Sequence, residues 1–82
     1  MKDILKVFVK NNCEKCDIFK KSLLPKLKEK YKVFIFNLDT VDGLSESMFY
    51  DIIYVPAIIY TDNDNNLKKK YTSILEAEKE LL

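Results

Sequence analysis

Two cysteines, Cys13 and Cys16, stand as Cys13-Glu14-Lys15-Cys16 and are the only side chains in the sequence with thiol chemistry. If this segment is helical, two intervening residues put the sulfurs one turn apart on the same face. Adjacent-turn Cα atoms are about 5 to 6 Å apart, a span that a disulfide can bridge. A pair so spaced can exchange disulfides or bind a soft metal through both thiolates. Elimination leaves little else. The 82 residues include no His, no Trp and a single glycine, Gly43, and all 14 basic residues are Lys. Without imidazole there is no Ser-His-Asp or Cys-His catalysis and no His metal ligand. One glycine cannot build a phosphate-cradling loop, and no guanidinium is present to grip an anion bidentately. Asp62, Asp64 and Asn65 form a fragment of a calcium loop that lacks its Gly and closing Glu. The net charge of +1 gives no electrostatic reason to expect nucleic acid or an anionic membrane as partner.

The elements that must position the pair follow from the hydropathy pattern. A chain of 82 residues, 48% hydrophobic and 33% charged, is expected to form one globular domain over residues 1–82. Ile4 to Val9 is nearly all apolar and reads as a strand covered on both faces, ended by the turn formers Asn11 and Asn12. From Cys13 the apolar residues recur at three- and four-residue steps through Phe19, Leu23, Leu27 and Tyr31. With Pro25 inside, this predicts one kinked helix from Cys13 to Lys30. Lys32 to Leu38 is a second continuous apolar run, read as another buried strand. A short helix over Leu44 to Ile52, capped by Ser45 or Asp42, follows the loop of Asp39, Thr40, Asp42 and Gly43. Asp39 and Asp42 are read there as turn formers. Tyr54 to Tyr60 is a strand entered through Pro56, and the turn of Asp62 to Asn66 joins it to an antiparallel strand, Leu67 to Tyr71. The lysines of that strand, Lys68 to Lys70, suit a solvated edge. Ser73-Ile74-Leu75-Glu76 is a capping box that opens a final helix. The predicted order is β-α-β-α-β-β-α, an α/β chain.

Placed after a strand and at a helix start, the two cysteines are not equivalent. The helix N-terminus offers partial positive charge and unpaired N–H donors, which favour a thiolate at Cys13. Its pKa is predicted below the ~8.5 of free cysteine. Lys10 and Lys15 lower it and Glu14 raises it, so the depression is moderate. Cys16 lies a turn deeper and keeps its proton longer. Cys13 is therefore the expected nucleophile and Cys16 the resolving thiol. Two small buried hydrophobes would be the plain alternative, but the strand-to-helix junction and the downstream Val55-Pro56 favour redox chemistry.

With both motifs in hand, nearly the whole chain resembles the thioredoxin-fold small redoxins, and glutaredoxin-like members in particular. The resemblance rests on Cys13-Glu14-Lys15-Cys16, on Val55-Pro56 and on the element order. It implies a thioredoxin (glutaredoxin-like) fold, a four-stranded mixed sheet flanked by helices. It also implies that Pro56 is cis, that it faces the cysteines, and that the backbone of Val55 pairs with an extended substrate. Lys10 matches a lysine frequent beside the thiolate in glutaredoxin-like sequences, and Tyr54 is a candidate lining residue of the substrate groove. Departures from the pattern are informative. No Gly or Pro separates the cysteines, and Val7 stands where thioredoxins bury an acidic proton relay. Lys69-Lys70-Tyr71-Thr72-Ser73 carries side chains where glutaredoxins bring a Gly pair close to glutathione.

The expected activity is reduction of protein disulfides without a cofactor, by a cytoplasmic monomer. Its electrons would come from glutathione or, better matched to these departures, from a flavoprotein reductase. Met1 to Val9 is too short and too charged for a secretory signal, and no apolar run approaches 18 residues. The alternative is a soft-metal (copper) chaperone using the same two cysteines, although such domains carry Gly-Met near the first Cys where this chain has Asn11-Asn12.

Overall fold

A computed structural model of the chain describes residues 3–64 and 66–82. Its elements run β1 (Ile4–Val9), α1 (Glu14–Ser22), α2 (Leu24–Lys30), β2 (Lys32–Asn37), α3 (Val41–Phe49), β3 (Ala57–Thr61), β4 (Leu67–Tyr71) and α4 (Ile74–Leu81). The strands form one mixed sheet in the order β2-β1-β3-β4. β1 pairs in parallel with β2 and antiparallel with β3, and β3 pairs antiparallel with β4.

Period-two alternation in the strands supplies a core on each face of the sheet. Leu5, Val7 and Val9 of β1 pack with Ile58 and Tyr71 against Phe19, Leu23, Leu27, Ala77 and Leu81 of α1, α2 and α4 or their junction. On the other face Phe8, Ala57 and Ile59 meet Tyr50, which ends α3. Lys6 of β1 also lies on this second face, where its ammonium bonds Glu46 and the Tyr50 hydroxyl, each at 3.0 Å. Burial alone would lower the Lys6 pKa, but the bonds to Tyr50 and Glu46 more than offset it and the group sits above its ordinary range.

Five expectations need correction. The segment after the cysteines is two helices, not one kinked helix. Pro25, second residue of α2, has no N–H to give the carbonyl of Lys21, and the ladder restarts at Leu23. Leu23 donates back to Phe19 and accepts from Leu27, each at 3.1 Å, so the interruption is a single residue. The strand from Lys32 is not buried on both faces; it is the sheet edge beside β1. An apolar run records the faces of a strand and is silent about its lateral position.

The third helix starts earlier than expected, at Val41, and Thr40 is its N-cap, accepting the Gly43 N–H at 3.0 Å. Gly43 is required there, because a Cβ would overlap the backbone of Asn37 at the end of β2. The third strand begins at Ala57, after Tyr54, Val55 and Pro56 have passed as irregular chain. The capping box is present in part: the Ser73 hydroxyl accepts the Glu76 N–H at 3.4 Å. Lys69, read as solvated, instead ties β4 to α4 through Glu76 and Glu80 at 3.2 and 2.6 Å. In the turn after β3, Asp62 accepts the N–H groups of Asp64 and Asn66; Asn65, with Met1 and Lys2, lies outside the described residues. Among the described residues no helix is long and apolar enough to cross a membrane.

Candidate active site

The site is assembled where β1 runs out. Asn11 and Asn12 turn the chain, and Asn12 takes a left-handed conformation (φ 54°), which asparagine tolerates better than most residues. This loop is clamped to the far end of β2. The Asn11 N–H donates to Asp39 at 2.8 Å, and the Asn37 amide donates to the Asn11 side chain at 2.8 Å. Asp39 is thus more than a turn former, because with Asn37 it fixes the segment from which Cys13 emerges. Sequence reasoning missed this role, since the clamp joins residues 26 and 28 positions apart.

Cys13 is the N-cap of α1 and is joined to Cys16 in a disulfide with a Cα–Cα separation of 5.2 Å. Its Sγ accepts the backbone N–H of Cys16 at 3.1 Å. The first-turn donor that a serine or threonine cap would satisfy is here turned on sulfur, where it favours negative charge on Cys13 once the disulfide is opened. The two sulfurs differ in access. Cys13 is partly exposed, and Cys16 is 0% exposed within the core of the α1 face. Glu14 and Asp17 flank the helix start and oppose that polarisation.

A cavity of about 620 Å³ is lined in part by Lys15, the residue just before Cys16 in α1. Lys15, Ile18 and Phe19 of α1 form one wall, Tyr54, Val55 and Pro56 the second, and the stretch from Thr72 to Leu75 the third. The Val55-Pro56 peptide is cis, as the resemblance implied. Tyr54, Val55 and Pro56 line the cavity together, and Val55 and Cys13 both pack against the core cluster that holds Cys16. Lys10 is exposed at the end of β1 and is not among the lining residues, where Lys15 stands instead. Ile18 and Leu75 are exposed apolar residues at this cavity that sequence reasoning did not single out. Ile18 breaks the charged face of α1, which is the signal that could have found it. Leu75 reaches the site only because β4 returns the chain to it. Among the described residues no group of three or more His, Cys, Asp or Glu side chains could hold a metal ion.

With the geometry established, the comparisons place the fold. No protein-family model matches the sequence, and no curated protein matches it. Solved structures do match, and they are thioredoxin-fold proteins. The reduced thioredoxin pre-protein of Schistosoma mansoni superposes with a TM-score of 0.78 at 22% identity, covering 99% of this chain and 80% of that one. Oxidised mitochondrial thioredoxin 3 of Saccharomyces cerevisiae gives 0.76 at 14% identity over 98% of this chain and 76% of that one. The germline-specific thioredoxin Deadhead of Drosophila melanogaster gives 0.73 at 19% identity, covering 99% and 82%. The chain has the thioredoxin fold, an α/β architecture with a four-stranded mixed sheet between helices. On that fold it carries a C-x-x-C disulfide at the start of α1.

Proposed function

We propose that the chain is a dithiol–disulfide oxidoreductase that reduces protein disulfides. The observation that carries this reading is the asymmetric disulfide: an accessible Cys13 whose sulfur receives an N–H, paired with a wholly buried Cys16. In the reduced protein the Cys13 thiolate attacks one sulfur of a substrate disulfide. A mixed disulfide forms, and the other substrate sulfur leaves as a thiolate that takes a proton from solvent. Cys16 then loses its proton and attacks the Cys13 sulfur. The second substrate thiol is released and the Cys13–Cys16 disulfide closes, so two electrons have passed to the substrate. Val55 would offer its backbone to an extended substrate, with Pro56 and Tyr54 walling the cavity and Lys10 adding positive charge near the thiolate. No cofactor is required by these steps.

A reductase must return the two electrons. Thr72 and Ser73 line the cavity with side chains where glutaredoxins bring a Gly pair close to glutathione, which supports a flavoprotein reductase over glutathione as donor. Reduction of a protein disulfide by the full chain, with each donor in turn and Cys13→Ser as control, tests the reading. Turnover is expected with a thioredoxin reductase, and none in C13S. Cys16→Ser is expected to stop at a stable mixed disulfide. Absence of turnover with either donor, together with tight Cu(I) binding by both thiolates, would overturn the reading in favour of a copper chaperone.

A further inference from the structure

The two edges of the sheet are finished differently. β4 carries Lys68, Lys69 and Lys70, and its pairing with β3 is broken by a register shift at Tyr60/Thr61, both devices that discourage strand addition. β2 runs six residues in unbroken register with β1, has no proline, and shows only Lys32 as a charge. Phe34 and Ile35 on it are 41% and 44% exposed. Lys32 and Leu38 give their N–H groups to Asp3 and Val9 at 2.9 Å, and the ladder alternates. The backbone groups of Val33 and Ile35 therefore point outward, away from β1.

The helix above this edge is inverted. α3 packs through Gly43 and Ser47 and leaves larger apolar side chains outside, with Leu44, Met48 and Val41 at 50%, 70% and 82% exposure. At about 100° per residue, Glu46 and Phe49 fall on one side of the buried Gly43–Ser47 line and Leu44, Met48 and Val41 on the other. Glu46 reaches Lys6 on β1, and Phe49 lines a hollow with Leu67 and Lys70 of β4, so that side faces the inner sheet. The apolar side accordingly overhangs the open edge of β2.

We propose that this edge and helix flank form an interface with a second copy of the same chain, joined by antiparallel β2–β2 pairing about a two-fold axis. Centred on Phe34, that pairing sets Val33 opposite Ile35 of the second copy, and the outward backbone groups exchange four hydrogen bonds. Both α3 helices then lie on one face of an eight-stranded sheet, flanking the axis with their apolar sides. Charge is complementary in this direction alone. β2 is entered through Lys28, Glu29, Lys30 and Lys32, a net basic stretch, and leads into Asp39 and Asp42, so antiparallel alignment lays each basic end against an acidic one. The net charge of +1 puts little repulsion between copies. Because Cys13 follows β1 at the end where β2 also finishes, the two disulfides of the pair point in opposite directions and stay accessible.

Sedimentation equilibrium of the full chain across the micromolar range tests this. The expected mass is twice the 9.7 kDa of one chain. Leu44→Lys on the exposed helix flank and Phe34→Lys on the edge should each weaken association about tenfold or more while disulfide reduction per chain is unchanged. Amide exchange at Val33 and Ile35 should slow as concentration rises, a readout that needs no variant to fold. A chain that stays monomeric throughout, or a dimer untouched by both substitutions and without protection at Val33 and Ile35, would overturn the proposal. The monomeric result would leave the edge to a strand from another protein.

Discussion

Tyr60 shows how one hydroxyl couples the end of the sheet to pH. Its O–H donates to the Asp3 carboxylate, and its ring meets that of Tyr31 edge-on at 5.9 Å. The hydrogen bond to Asp3, aided by burial and by the Asp3 charge, pushes the Tyr60 pKa up from 10.0 to about 12. A raised pKa on an acid means that the fold favours the protonated form. The contribution to stability is then whole below the unfolded value near 10 and is lost as the pH climbs toward about 12. Urea unfolding midpoints of the wild type and Tyr60→Phe should therefore differ most at neutral pH and converge across that window. The comparison between the two chains removes every contribution common to both.

Among the elements, α4 depends on one side chain for its start. Ser73 caps it, and the residues just inside, Ile74 and Leu75, form a wall of the cavity that Lys15 and Pro56 also line. Ser73→Ala should cost about 1 kcal/mol of stability, read from the urea midpoint, and should also impair protein-disulfide turnover. That helix was legible in the sequence because its signal is local: a cap, a glutamate three residues on, and an apolar period of 3.6. The C-x-x-C and Val55-Pro56 motifs were legible for the same reason, and the element order followed from run lengths. What could not be read depends on neighbours distant in the chain. The Lys32–Asn37 run has the same composition whether it lies inside a sheet or at its margin. Thr40 was passed over as a cap because Ser45 and Asp42 are equally good candidates until the contact of Gly43 with Asn37 fixes where α3 begins. The Asn11–Asp39 clamp and the place of Leu75 at the cavity are likewise products of topology.

At the scale of the molecule, the same sheet serves two separate surfaces. The end of β1 and the start of β3 lie side by side and lead to the Cys13 loop and to Pro56, while the outer margin of β2 with α3 presents the apolar ledge proposed above as an interface. The burial of Cys16 carries a further consequence once the disulfide has been reduced. A bulky maleimide should add once, at Cys13, and the mass spectrum should show a single adduct long before a second. The second adduct has to wait until α1 lifts from the core, and its rate then follows the frequency of that opening. Cys16 thus becomes a built-in clock for the breathing of the helix that carries the chemistry.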